Sequence, residues 1–348
     1  MSEQKLFNLK KTGIVVLAIG VIIFIVYLYF IGFGGVIDNI RNADPLFYSS
    51  ALAAMFLSTV FYALTWQRLL HLLSVKSSFF KALQFVWVAS FVDTLVPAES
   101  ISGDISKVYL MTTQSGENAG KVVASVIGHR VLGMTITLGG LIVSSIYFVI
   151  NYKPSMLIVE FVGVIGIGTL VSLILIFYLS RNRQATDKAV SWLIGVLVRF
   201  SRGRWKFESL KKQAEKMLKA FHDGIDSLSV RPKFLALPIS LSILAWVLDL
   251  LIAVFVFRAI KAPVAFSAIV VVYSITTALQ AIPIGVPGEV GILDFIMAAL
   301  FMTLGITPTF AAAATVLIRG LTLWVRLLIG GLTVQWLGIK GMKAPSLP

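Results

Sequence analysis

The run FFKALQFVWVASFVDTLVPAESISGDISKVYLM, from Phe79 to Met111, decides the topology of the chain. Its first arm, to Val96, has about 18 residues, or roughly 27 Å of helix at 1.5 Å per residue. Its second arm, Ile101 to Met111, has about 11, or roughly 17 Å, which falls short of a hydrocarbon core about 30 Å thick. The run therefore reads as a re-entrant hairpin that enters the bilayer and returns, with Pro97 and Gly103 in its turn. Broken backbone at that depth has to be covered by protein or line a wet cavity.

Working outward, Ile14 to Phe33 is about 20 residues of apolar sequence, enough to cross. Lys5, Lys10 and Lys11 precede it, so the expectation is a retained first span with its amino terminus inside. A short outer loop with Asp38, Arg41 and Asp44 follows, and Leu46 to Trp66 returns inward. Beyond the hairpin, Val122 to Ile150 goes outward and Met156 to Leu179 comes back. Between Arg181 and Lys233 lie thirteen Lys or Arg against five Asp or Glu, which assigns this loop to the cytoplasm. An alternative of eight full spans would put the most basic loop outside, so the hairpin reading is preferred.

Phe234 to Phe257, with Asp249 in its middle, forms a fifth span; a second hairpin from Val264 to Leu304 and a sixth span from Phe310 to Leu337 complete the bundle. The expected fold is all-α and polytopic: one membrane domain in the cell membrane, six full spans plus two re-entrant hairpins, both termini cytoplasmic. Residues 14–150 form a first repeat and 156–338 a second. The basic insertion 180–232 carries Leu210, Ala214, Met217, Phe221, Ile225 and Leu228 at helical spacing. It is expected to lie on anionic headgroups or to pack beneath the bundle.

The repeat rests on four features in one order. In each half a proline ends an apolar arm (Pro97, Pro283), and a glycine then precedes an acid (Gly103-Asp104, Gly288-Glu289). A short return arm follows, and an Ala-Ser-Val or Ala-Thr-Val run leads to Arg130 or Arg319. Three spans per half is odd, so the second copy is inverted in the membrane, an arrangement of secondary transporters whose sites lie at the repeat interface.

Composition excludes most other classes. With 58% hydrophobic and 13% charged residues, the chain is no ordinary soluble globule. The absence of cysteine rules out disulfides, iron–sulfur clusters and thiol catalysis. A net charge of +14 reflects cytoplasmic loops, not nucleic-acid binding, since no aromatic-basic module accompanies it. No metal site, cofactor or catalytic constellation is expected.

Arginine inside a span costs about 2.5 to 3.5 kcal/mol or more, so Arg130, Arg319 and Arg326 should face a bundle interior. Arg319 and Arg326 stand two turns apart, hence on one face. With Lys107 they are the candidate phosphate-binding residues, guanidinium forks being suited to bidentate contact. Asp93, Glu99, Asp104, Asp249, Glu289 and Asp294 are the candidate counterions or coupling acids. Pro97, Gly103, Pro283, Pro287, Gly288 and Gly291 are the candidate turn residues, and the glycine run lacks the lysine and hydroxyl of a nucleotide loop.

Pro287-Gly288, Gly291 and Asp294, followed by Arg319 and Trp324, resemble the later motif of the lysylphosphatidylglycerol synthase transmembrane family, a flippase-like group with stand-alone members. Pro97, Gly103, Asp104 and Lys107 resemble its earlier motif. Glu289 replaces a glycine of the family pattern, Asp294 a glutamate, and Lys107 an arginine. The resemblance implies a lipid transporter moving a phosphate-bearing lipid, either a modified phospholipid or a polyprenyl-linked glycan. About eleven residues follow Leu337, so the family's soluble aminoacyl-transferring domain is not expected. The expected partners are membrane lipids, anionic headgroups at the basic loop, and a glycosyltransferase or lipid synthase. An ion-coupled carrier of a small anion and a membrane scaffold are the alternatives.

Overall fold

The structure is a computed structural model and describes residues 29, 33–96, 101–116, 118–152, 156–200, 218–226, 232–280 and 286–338. Most of the expected first span, with Pro97, Glu99, Pro283, Lys340 and Lys343, lies outside the described residues.

Every described element is helical. In chain order they are α1 (Phe33–Arg41), α2 (Pro45–Leu72), α3 (Phe79–Leu95), α4 (Ile101–Ser115), α5 (Ala119–Tyr152), α6 (Met156–Arg181), α7 (Arg183–Phe200), α8 (Ala236–Ala259), α9 (Phe266–Gln280), α10 (Ile292–Thr303), α11 (Pro308–Arg319) and α12 (Arg326–Trp336). Residues 218–226 form a further helical segment. Five stretches are long and apolar enough to cross a membrane: Pro45–Leu72, Ala119–Asn151, Val162–Arg181, Lys233–Ala259 and Pro308–Trp336. They coincide with expected spans two to six.

Local chemistry sets several boundaries. Asp44 caps α2 by accepting the Leu46 N–H at 2.8 Å, and Pro45 opens the helix where no N–H is needed. Ser78 caps α3 through the Lys81 N–H. The peptide N–H of Asp44 donates at 2.8 Å to the carbonyl of Ala259, the last residue of α8. The start of α2 thus lies at the end of α8, and the two helices pack antiparallel along their length.

Around this pair the halves exchange partners. The first hairpin's α3 packs on α12 from the second half, while the second hairpin's α9 packs on α5 from the first. The main apolar cluster joins Met55, Leu250, Val256, Phe257, Phe301 and the Ala311–Ala314 face; a second joins Trp66, Phe85, Met111, Val122 and Ala124. None of the α6 window from Val162 is buried inside the protein, as expected of a helix turned to lipid.

Three expectations change. The return arm α4 has 15 residues, not about 11, because Thr112 to Ser115 extend it; the Thr112 and Thr113 hydroxyls bond back to helix carbonyls. Gly103 is not in the turn but in the first turn of α4. The sixth span is not one α-helix: Gly320–Val325 is a π turn between α11 and α12. Such bulges are frequent at functional sites, and this one lies between the two arginines.

Residues 218–226 of the basic insertion pack against the bundle. Phe221 is buried in the second apolar cluster, with Leu218 and Ile225 against it. His222 Nδ1 contacts the Ser180 carbonyl at 3.1 Å, and Arg183 reaches Asp223 and Asp226, each at 3.1 Å.

Candidate functional site

An interior cavity of about 370 Å³ lies where the two hairpins, α2, α8 and the π turn converge. Lys107, Arg130, Arg319 and Arg326 all line it, with Asp93, Asp104 and Asp249. Seven residues singled out for charge alone thus share one chamber.

The first hairpin builds one wall. Asp93, near the end of α3, accepts the Gly103 N–H at 2.6 Å and the Ser102 hydroxyl at 2.8 Å, closing the N-terminal turn of α4. A Cβ on Gly103 would stand 2.2 Å from Asp93 Oδ2 and 2.8 Å from the Ala89 carbonyl. Close approach, not turn geometry, is what this glycine supplies. One turn on, Asp104 pairs with Lys107 at 2.7 Å and with Arg130 of α5 at 3.2 Å. Lys107 is buried, its ammonium 5.5 Å from the Tyr62 ring centre and 5.6 Å from that of Trp66, so ring faces and a carboxylate replace its water. His129, beside Arg130, packs on the Tyr62 ring at 4.1 Å as a core residue.

The second hairpin repeats the theme with a different turn. Gly288, Glu289 and Gly291 have φ of 59°, 50° and 86°, which explains two glycines in five residues. A Cβ on Gly288 would contact Thr94 and Leu323 at 3.1 Å, so the two hairpin ends meet. Asp294 accepts the Gly291 N–H at 2.7 Å and caps α10; its other oxygen takes Arg319 Nε at 2.8 Å. Arg319 Nη2 donates to the Gly288 carbonyl at 2.6 Å. Both side chains of this pair are under a tenth exposed. Pro287 opens the short 3-10 turn; Glu289 is buried within it and does not line the cavity.

The third cluster joins the halves. Asp249, in α8, accepts Ser58 Oγ at 2.7 Å, Arg326 Nη2 at 3.0 Å and the Tyr273 hydroxyl at 3.1 Å, binding α2, α9 and α12 to one carboxylate. The π turn separates the tasks of the arginines, Arg319 turning to the hairpin and Arg326 to Asp249. The Arg326 side chain is 27% exposed and Arg130 26%, against 6% for Arg319 and 4% for Lys107.

Of the two acids in the second hairpin, Asp294 pairs directly with Arg319. Asp104 precedes Arg130 by 26 residues and Asp294 precedes Arg319 by 25, a spacing that would have aligned the halves correctly. Ser58, Tyr62 and Tyr273 were not anticipated. Polar residues four apart inside apolar runs, as in Ser58-Tyr62 and Ser90-Thr94, were their signal.

Apolar spans closed around a charged interior define a multi-pass integral membrane protein. The chain belongs to the family described as the lysylphosphatidylglycerol synthase TM region, which it matches over residues 14–330. It is 24% identical over 330 residues to a UPF0104 membrane protein of Methanothermobacter thermautotrophicus, covering 95% of this chain and 97% of that one. A UPF0104 membrane protein of Pyrococcus horikoshii is 23% identical, covering 91% and 94%. One from Methanocaldococcus jannaschii is 22% identical, covering 88% and 89%.

Proposed function

We propose that the protein is a lipid transporter of flippase type, not an enzyme, moving a phosphate-bearing lipid between the leaflets of the cell membrane. The observation that carries this reading is Arg326: one corner of its guanidinium is held by Asp249 and Ser58, and the rest of the fork is left to the cavity. Its Nε is buried with no hydrogen-bond partner among the described residues. A guanidinium anchored on one side and unsatisfied on the other is suited to a bidentate phosphate. Arg130, similarly exposed on another wall, is the second contact. Arg319 and Lys107 are positioning residues, since the hairpins already use them.

Antiparallel α2 and α8 and the exchanged packing of α3 and α9 support an inverted repeat, and with it alternating access around a central site. Arms of 17, 15, 15 and 12 residues support re-entrant hairpins over eight full spans. The basic insertion belongs to the cytoplasmic side with both termini, and its exposed face is assigned to anionic headgroups or a lipid-modifying partner. A scaffold would have no need of four cations inside the bundle.

Mass spectrometry of lipids co-purified with the protein tests the reading. Phosphate-bearing lipid should be enriched over the bulk membrane, and the enrichment lost in a folded Arg130→Gln/Arg326→Gln variant. Retained lipid identical in composition to the bulk membrane, in parent and variant alike, would overturn it.

A further inference from the structure

Three of the four aspartates that line the cavity or pair with its cations are held in ion pairs. Asp294 pairs with Arg319, Asp249 with Arg326, and Asp104 with both Lys107 and Arg130. Asp93 differs: it lines the cavity, and among the described residues no Lys or Arg pairs with it. Both of its hydrogen bonds, from the Gly103 N–H and the Ser102 hydroxyl, end on Oδ1. Oδ2 accepts none from the described residues.

The hydroxyls beside it on α3 do not fill that place. Ser90 donates to the Val86 carbonyl at 3.1 Å and Thr94 to the Ser90 carbonyl at 2.9 Å, and both line the cavity. With those protons committed one turn back, the two groups offer lone pairs alone. A carboxylate gains nothing from them, whereas a protonated carboxyl meets acceptors on its own wall. The other ionisable groups near Asp93 come from the elements around α3: Asp104 and Lys107 on α4, Tyr62 on α2, Arg326 on α12, and Arg130 on α5 behind α4. His129 packs on Tyr62 and Glu289 is buried in the 3-10 turn, and neither lines the cavity. Arg68, His71 and Lys81 lie at the far end of the α2–α3 pair.

With Asp93 ionised, the four cavity cations and the four aspartates balance. A phosphate monoanion docking on Arg326 and Arg130 then leaves one negative charge in excess, where an uncompensated charge is costly. Asp93 is the carboxylate whose charge can be removed without breaking an ion pair. From this we infer that Asp93 is the proton site of a proton–lipid symport. A proton from water binds Oδ2 as the phosphate docks, and the two cross and leave together. The inference rests on the phosphate-lipid reading above and adds what travels with the lipid. One proton with one phosphate monoanion is electroneutral cargo, so a pH difference drives it and a membrane potential does not. Proton and lipid raise each other's affinity by the same factor.

The test is calorimetric titration of the purified full chain in detergent with dihexanoyl phosphatidylmethanol, a phosphodiester that stays a monoanion and has no titrating headgroup. Repeating it in buffers of different ionisation enthalpy counts the protons taken up per lipid bound. The parent should take up about one proton where Asp93 is ionised, its affinity rising by up to about tenfold per unit fall in pH. Asp93→Asn matches the shape of the protonated acid and still accepts the Gly103 N–H. It should take up no proton, bind independently of pH, and at alkaline pH bind tighter than the parent; loss of a merely structural contact would weaken binding instead. Should it fail to fold, Asp93→Ser, which keeps a capping oxygen without the charge, takes its place.

Parent binding with no proton uptake and no pH dependence, or a folded Asp93 variant with the parent's proton uptake, overturns the symport inference and leaves the phosphate reading standing. Binding that tightens with sodium at constant pH and ionic strength, with no proton taken up, overturns it in favour of a metal cation. Dimethyl phosphate binding as tightly as the lipid, with the same proton uptake, supports the proton site and removes the lipid from the reading beneath it. No binding by either probe overturns both.

Discussion

Replacing Arg319 with alanine tests whether this arginine secures the second hairpin. In the parent, Asp294 faces Arg319 Nε at 2.8 Å, both side chains being nearly inaccessible. Alanine leaves Asp294 with the Gly291 N–H but no counterion, and breaking a buried pair on one side costs about 3 to 5 kcal/mol. The Gly288 carbonyl also loses its donor, worth about 1 to 3 kcal/mol if nothing replaces it. The two losses share one site and do not simply add, so a total of about 4 to 6 kcal/mol is expected. For a chain of this size, at roughly 2 °C per kcal/mol, the midpoint in detergent should fall by about 8 to 12 °C. Since unfolding of such a protein is irreversible, midpoints are compared at one heating rate. Arg319→Met/Asp294→Asn removes both charges and keeps an acceptor for the Gly291 N–H, so it should recover about half of the loss. A midpoint for Arg319→Ala within about 2 °C of the parent, or a double variant less stable than the single one, would refute the argument.

Gly103→Ala should uncouple the hairpin arms, since its Cβ would meet Asp93 and the Ala89 carbonyl; forcing atoms into such a space costs about 1 to 3 kcal/mol, read as a lowered midpoint, while Gly139→Ala, whose Cβ would meet no neighbouring atom within 4 Å, should cost less. Single cysteines at Asp38 and Lys188, both exposed in a cysteine-free chain, should react with an impermeant thiol reagent from opposite faces of oriented vesicles, and same-side labelling would remove the six-span topology.

Much of this architecture is legible because the membrane limits what apolar runs can do. Spans two to six coincide with five helices of sufficient length, and the arms after Phe79 and Val264 are short helices, as their proline and glycine punctuation suggests. The charged residues were legible for the same reason: an arginine in an apolar run has few places to go. Their division of labour was not. Arg319 and Arg326 look alike in sequence, and only the π turn and the capping geometry of Asp294 separate the hairpin clamp from the cavity-facing cation. The glycine-acid pairing of the halves misled because Gly288 and Gly103 serve different needs, positive φ in one and close approach in the other. Ser58, Tyr273 and the back-bonded threonines stayed invisible because a hydroxyl inside a helix carries little cost and therefore little signal.

The central claim is that a phosphate-bearing lipid crosses the membrane by way of Arg326. Its most direct test is reconstitution into vesicles containing acyl-chain-labelled phosphatidylglycerol, with an impermeant reductant reporting the label reaching the outer leaflet. Parent protein should carry inner-leaflet label outward in proportion to the copies per vesicle, and folded Arg326→Gln should do so at least about tenfold more slowly, as expected for losing a charge-assisted contact of roughly 1.5 kcal/mol or more. Inner-leaflet label that stays as protected as in protein-free vesicles, or Arg326→Gln working at the parental rate, would contradict the account.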